Sequence, residues 1–176
     1  MSTPPTAPRR TGPVVIGYDG SPVAERALAE AAGLLSPRSA LVVTVWEAGR
    51  AFEAAWPVGP EVPVPAVDIQ VALELEEAAY ESAERTARQG AGLAMSMGLQ
   101  AESLVVAAEE TVADTLIRIA RERNAPALVV GAHRHGALSE VLLGSTSRDV
   151  VRHASCPAVV VREDGDRNRR ASDSRS

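Results

Sequence analysis

The sequence predicts an open α/β domain in which five largely parallel strands are separated by helices. Two observations support this prediction. Short β-branched runs alternate with longer segments of helical periodicity, in the order β-α-β-α-β-α-β-α-β. Strands separated by helices need crossover connections, which favour parallel pairing and cover both faces of the sheet. The expected fold is therefore a doubly wound, five-stranded parallel sheet.

The first half of the pattern begins with a strand at 13–18, whose sequence is PVVIGY. Ser21 as N-cap and Pro22 at the first helical position start a helix that runs to about Leu35. A second strand follows at 39–46, with the sequence SALVVTVW. Such short apolar runs are typical of strands that are buried on both faces.

A long connection separates the second strand from the next helix. It covers residues 47–67 and contains Pro57, Pro60, Pro63 and Pro65. Loops of this length are usually lids or mobile segments, and a solvated excursion without a role is an equal alternative. The pattern turns helical from 68 to 97, and three glycines weaken the end of this helix. Its apolar positions near one face are Val71, Leu75, Ala78, Leu93 and Met97.

The second half of the chain continues the alternation. Thr111 and Asp114 form a capping box at the start of a helix that ends near Arg123. The other predicted elements are a third strand at 99–107, a fourth strand at 127–131, a fourth helix at 143–154 and a fifth strand at 157–162.

Composition excludes several classes of function. The 176 residues suit a single domain, and aromatic residues make up only 3% of them, which excludes a stacking platform for single-stranded nucleic acid. The sequence contains no lysine, so it has no P-loop. The net charge of -5 argues against binding to a phosphate backbone. We therefore expect no nucleic-acid partner.

The cysteine content and the two ends of the chain suggest a cytoplasmic protein. Cys156 is the only cysteine, which suits a reducing compartment and rules out an internal disulfide. No apolar stretch is long enough to span a membrane, and the N-terminus lacks the apolar region of a secretion signal. We expect residues 1–12 and 163–176 to be disordered arms around a domain at 13–162.

Two segments are expected to lie at the carboxyl ends of the strands, where ligands bind in such sheets. One is Asp19-Gly20-Ser21 after the first strand, and the other runs from Gly131 to Ser145 after the fourth. The second segment leads into a helix that opens at Gly144 with Ser145, Thr146 and Ser147. Unpaired N–H groups and three hydroxyls at one helix start suit a phosphate.

The stretches VVIGYDGS, LVVGAHRHG and LLGSTSRDVVRHASCPAVVV, in this order, resemble the universal stress protein family over residues 13–162. The resemblance implies a Rossmann-like fold of the adenine nucleotide alpha hydrolase type, with strand order 3-2-1-4-5. It also implies an ATP-binding regulatory protein of the stress response. The alternative within the same family is a dimeric interaction scaffold that works without nucleotide.

ATP-binding members of the family carry a Gly-x2-Gly-x9-Gly-(Ser/Thr) motif. The resemblance places Gly131, Gly144, Ser145 and Ser147 near the phosphates, and Asp19 and Val45 near the nucleoside. Val130, His133 and Thr146 complete the predicted ATP site with Arg134, which stands where the motif has its second glycine. Arginine lacks the backbone freedom of glycine, although its guanidinium is a strong phosphate donor.

The sequence gives little support for a metal site or for an enzyme active site. His133 and His135 lack a third ligand for a metal site. No nucleophile stands beside an activating base, so we expect no enzyme beyond slow ATP hydrolysis, in which Asp19 could position Mg²⁺ or water. The resemblance implies a homodimer through the last strand, from Pro157 to Val161, besides a protein partner that the sequence does not identify. No membrane partner is expected.

Overall fold

A computed structural model describes residues 10–35, 39–49, 69–132 and 144–162. The strands are β1 (Val14–Gly17), β2 (Ser39–Trp46), β3 (Gln100–Ala107), β4 (Leu128–Ala132) and β5 (Ala158–Arg162). The helices are α1 (Pro22–Leu35), α2 (Ile69–Ser96), α3 (Val112–Glu122) and α4 (Ser145–His153). The predicted alternation of strands and helices is confirmed, and each boundary lies within two residues of its prediction.

The five strands form one sheet in the order β3-β2-β1-β4-β5, and every pair of neighbours is parallel. This confirms the predicted order 3-2-1-4-5. The order reverses at β1, because β2 and β3 lie on one side of it and β4 and β5 lie on the other. The carboxyl ends of β1 and β4 therefore flank the crevice in which such sheets bind ligands.

Two apolar clusters hold the helices on opposite faces of the sheet. One joins α1 and α2 to alternate residues of the central strands, including Val14 and Ile16. The other joins α3 and α4 to the intervening residues, including Val15 and Leu128. Because successive side chains of a strand point to opposite faces, the continuous β-branched runs serve both layers.

Helix α1 begins as the sequence predicts. The Ala24 N–H donates to the Ser21 hydroxyl at 3.2 Å, and the Glu25 N–H donates to the Ser21 carbonyl at 3.0 Å. Pro22 occupies the first helical position, where no N–H is needed. This helix start fixes the loop that follows β1.

Helix α2 differs from the prediction in the face that it buries. Val71 and Leu75, which belong to the predicted apolar stripe, are 50% and 52% exposed. The buried positions are instead small residues, namely Ala72 near its start and Ala83, Ala87, Gly90, Ala91 and Ala94 in its second half. Small residues let the helix approach the sheet closely, so this half packs mainly through alanine and glycine, and Leu93 of the predicted stripe also packs against the core.

The length of α2 explains the difference. Its 28 residues span about 42 Å, whereas the eight residues of β3 span about 26 Å. The first half of the helix therefore extends past the carboxyl edge of the sheet. Tyr80 marks the end of β2, because its ring packs against Trp46 with the ring centroids 5.6 Å apart. Residues before Tyr80 lie beyond that strand.

The described part of the N-terminal arm lies against the amino edge of the sheet. The Gly12 N–H donates to the Asn124 carbonyl at 3.2 Å, and the Arg10 guanidinium donates to the Ser155 carbonyl. Residues 1–9 and 163–176, which hold most of the two predicted disordered arms, lie outside the described residues, as do residues 50–68 of the proline-rich connection.

Candidate functional site

A cavity of about 210 Å³ opens at the carboxyl edge of the sheet, between the ends of β1 and β4. It lies where the strand order reverses. Residues from β1, β2, β4 and the starts of α1, α3 and α4 line it. The position agrees with the general rule for ligand sites in open α/β sheets.

The loop after β1 supplies a carboxylate at the rim of the cavity. Asp19 is exposed and lines the cavity beside Ser21. One Asp19 carboxylate oxygen, Oδ1, accepts the Ser21 N–H at 3.0 Å. Gly20 between them has a φ of 80°, which glycine adopts without strain. The carboxylate is thus held in place by the same turn that starts α1.

The inner wall of the cavity is apolar. Val45 and Val130, both predicted site residues, lie on it at the ends of β2 and β4. Val112 and Leu116 of α3 also line it, and sequence reasoning did not assign them to the site. They could have been found by topology, because α3 follows β3 and so begins at the same edge of the sheet. The remaining apolar side chains of the wall are Val23, Ala24 and Val43.

Two glycines allow the helices to close around this wall. A Cβ on Gly17 would lie 3.0 Å from Leu116 Cδ1, so glycine lets α3 pack tightly over β1. A Cβ on Gly131 would lie 3.1 Å from backbone atoms of Val23, so glycine lets α1 approach β4. Gly131 was predicted as a phosphate residue, and the structure adds this packing role.

The start of α4 forms the polar side of the cavity. Gly144 is the N-cap, and its carbonyl accepts the Arg148 N–H at 3.0 Å. By helix geometry, the N–H groups of the first turn have no acceptor within the helix. Thr146 lines the cavity, so this helix start faces the same space as Val45 and Val130.

The other hydroxyls of α4 have different positions. Ser145 is exposed, whereas Ser147 is 2% exposed and its hydroxyl donates to the Gly131 carbonyl at 3.4 Å. Ser147 therefore joins α4 to the end of β4. Two further predicted site residues, His133 and Arg134, lie outside the described residues.

Tyr18 also lines the cavity. It is 3% exposed, and its ring fills the space above Gly90, where a Cβ would lie 2.6 Å from Tyr18 Cδ1. Burial raises the pKa of the Tyr18 hydroxyl, and the nearby carboxylates of Glu25 and Asp19 raise it further. Among the described residues that line the cavity, Asp19 is the one with a charged side chain.

The family of the chain follows from its sequence. A family model described as the universal stress protein family matches residues 11–162. The chain belongs to the universal stress protein family. The match begins two residues before the predicted domain at 13–162 and ends at the same residue.

Relatives within the family differ in length. A universal stress protein of Mycolicibacterium smegmatis is 32% identical over 151 residues, which cover 86% of this chain and 48% of that protein. The chain thus spans about half the length of the mycobacterial universal stress proteins that it matches.

Solved structures of universal stress proteins share the fold. The protein from Archaeoglobus fulgidus, solved in complex with dAMP, has a TM-score of 0.52 and 23% identity over 87% of this chain and 99% of that one. The family protein from Arabidopsis thaliana, solved with AMP bound, has a TM-score of 0.56 and 14% identity over 88% and 94%. At these identities the likeness establishes the Rossmann-like fold.

The described residues offer neither a metal cluster nor a membrane-spanning helix. No three His, Cys, Asp or Glu side chains of the described ranges come together where they could hold a metal ion. None of the described helices combines the length and the apolar character that crossing a bilayer requires.

Proposed function

We propose that this universal stress protein binds an adenine nucleotide in the cavity between β1 and β4 and acts as a regulatory protein. The observation that carries the proposal is the convergence of three chemistries on one cavity: an apolar wall, the Asp19 carboxylate and the start of α4. The complexes of two family members with dAMP and AMP support the same class of ligand.

Each part of a nucleotide matches one part of the cavity. The apolar wall around Val45, Val130 and Leu116 suits a flat base. Asp19 at the rim is an acceptor for ribose hydroxyls. The N–H groups at the start of α4, beside Thr146, suit the phosphates, because a helix start carries a partial positive charge.

We propose ATP, with or without Mg²⁺, as the ligand and a change of conformation or partner surface as the output. Catalysis beyond slow ATP hydrolysis is not part of the proposal. A cytoplasmic location stays a prediction from composition. Arg134, which replaces the second glycine of the ATP motif, is expected to donate to phosphate oxygens.

Thr146 offers a sharp test of the phosphate position. Thr146→Glu places a carboxylate in the first turn of α4, where a negative charge favours the helix but repels phosphates. We expect isothermal titration calorimetry to show adenosine binding unchanged, with AMP and ATP binding weakened by roughly a hundredfold or more. Thr146→Gln introduces a side chain of the same shape as glutamate but without its charge. This variant should bind adenosine, AMP and ATP as the wild type does.

Several results would contradict the proposal. If nucleotide-free wild-type protein binds neither adenosine, AMP nor ATP, the cavity has no nucleotide function. If Thr146→Glu and Thr146→Gln weaken AMP binding equally, the phosphates do not lie at α4. An Arg134→Gly variant separates the roles of the arginine: weaker ATP binding means that it donates to phosphate, and binding gained only in this variant means that it blocks the site.

The second candidate function is a dimeric scaffold that works without nucleotide. The sheet topology favours it, because β5 is an edge strand with an apolar sequence from Ala158 to Val161. An edge of this kind can pair with a second copy of the chain. The first function predicts nucleotide binding in isothermal titration calorimetry, whereas the second predicts a dimer that binds no nucleotide.

A further inference from the structure

The first half of α2 exposes large apolar side chains. We call residues 70–82 of this helix the overhang, since most of them lie beyond the end of β2. With about 100° per residue, Val71, Leu75 and Ala78 fall on one stripe, whose mean direction lies about 130° around the helix from the buried Ala83 and Ala87. Val71 and Leu75 are 50% and 52% exposed.

This stripe is apolar without any packing reason inside the described fold. Ala83 and Ala87 already fill the sheet-facing side of the helix, being 8% and 1% exposed. Exposed apolar side chains at i, i+4 and i+7 are the pattern by which one helix receives another. The stripe thus has the geometry of a docking face.

Acidic residues flank the stripe on one side. The segment 70–84 contains five glutamates and no basic residue. Glu81 and Glu84 pair with Arg85 and Arg88 at 3.5 and 3.2 Å. The Gly49 N–H donates to Glu76 at 2.8 Å. Glu74 and Glu77 are the glutamates of this segment for which the described residues provide neither an ion pair nor a hydrogen bond.

The negative charge beside the stripe favours one kind of binding partner over another. A second copy of α2 would bring two sets of glutamates together, and like charges across an interface are unfavourable. A basic segment would instead neutralise Glu74 and Glu77 while its apolar side chains cover Val71 and Leu75. Charge and shape therefore favour a partner of opposite charge over self-association.

We propose that the overhang is a docking surface for a basic amphipathic helix of a partner protein. The partner places apolar side chains on Val71 and Leu75 and arginine or lysine side chains beside Glu74 and Glu77. This interaction does not depend on nucleotide binding, although the overhang and the cavity lie at the same edge of the sheet.

The test uses a fluorescein-labelled, 18-residue amphipathic peptide of leucine, alanine and arginine, with its leucines three and four residues apart. Full-length protein should raise its fluorescence anisotropy to saturation. The Val71→Ser/Leu75→Ser double variant should weaken binding roughly tenfold through lost apolar contact. The Glu74→Gln/Glu77→Gln double variant should weaken it about threefold to tenfold and reduce its salt dependence.

Matched variants separate docking from attraction to an acidic protein. Leu34→Ser removes an exposed apolar side chain from α1, where Leu34 is 67% exposed. Glu30→Gln/Glu102→Gln removes two exposed carboxylates elsewhere. Both should leave peptide binding unchanged, and circular dichroism checks that every variant is folded.

Three outcomes would overturn the proposal. The first is the absence of saturable peptide binding. The second is an equal loss of affinity in the overhang variants and in their matched controls. The third is self-association of the wild-type protein that Val71→Ser/Leu75→Ser abolishes, which would make a second copy the occupant.

Discussion

The Tyr18 hydroxyl is a buried polar group, and the described residues give it no hydrogen-bond partner. Leaving such a group unsatisfied costs about 1–3 kcal/mol. We therefore expect Tyr18→Phe, measured by urea unfolding at pH 7, to raise the free energy of unfolding by about 1 kcal/mol. Tyr80→Phe, which changes a ring that is 41% exposed, is the control and should change little.

The same residue predicts a loss of stability in alkali. Since the pKa of Tyr18 is raised in the folded protein, the folded state keeps this proton at a pH where the unfolded chain has lost it. The free energy of unfolding must then fall as the pH rises above about 10. Burial raises the pKa of Cys156 in the same sense. Tyr18→Phe should reduce the alkaline loss, and an unchanged pH profile would contradict this account.

At single residues, the sequence predicted roles that depend on neighbours along the chain. The predicted cap at Ser21 acts within a few residues and is present, and the Asp19 carboxylate accepts the Ser21 N–H over a similarly short stretch of chain. Gly90 shows the limit. Its sequence context indicated only a weak helix end, whereas the structure places it under the Tyr18 ring. Contacts across 72 positions of chain leave no local signal.

At the level of the element, α3 depends on its first turn. The Thr111 hydroxyl accepts the Asp114 N–H at 3.0 Å and donates to the Asp114 carboxylate at 2.6 Å. We expect Thr111→Ala to lower the free energy of unfolding by about 1 kcal/mol, because it removes the N-cap. Thr111→Ser keeps the hydroxyl and should recover most of the loss. Equal denaturant midpoints for Thr111→Ala and the wild type would contradict this role.

The buried faces of helices and strands were predictable where the length of the element matched the length of the strands in the sheet. The β-branched runs predicted β2 and β4 correctly, because a strand buried on both faces reads as a short, continuous apolar run. In α2, helical periodicity gave the right structure, but only part of the predicted stripe is buried: Leu93 packs against the core, whereas Val71 and Leu75 are exposed. The apolar stripe was expected to face the core. The helix is longer than the strands beneath it, however, and sequence periodicity carries no information about that difference in length.

At the scale of the whole molecule, topology placed the candidate site before any contact was known. The segments after β1 and β4 were expected at the carboxyl ends of the strands, and Asp19 and Thr146 do line one cavity. Val45, which the family resemblance had assigned, lines it too. The rule applied equally to α3, whose Val112 and Leu116 went unassigned because only the strand ends were considered. The Arg134 loop lies outside the described residues, and its role remains a prediction.

The two edges of the sheet differ in a way that predicts the assembly. Edge strand β3 exposes Glu102 and Ser103, and an outward charge discourages strand pairing. Edge strand β5 carries only apolar residues from Ala158 to Val161. We therefore expect a symmetric homodimer through β5, with light scattering giving twice the chain mass of 18.4 kDa at micromolar concentration.

Hydrogen exchange locates this interface without any substitution. Pairing of two β5 strands would protect their outward amides, so exchange at 158–162 should slow as the protein concentration rises. Exchange at 100–107 in β3 provides the internal control, because that edge should be independent of concentration. A monomer by light scattering, or protection at β3 instead of β5, would contradict the β5 dimer. Concentration-dependent protection of 70–82 instead would place the second copy on the overhang and remove the basis for a basic partner there.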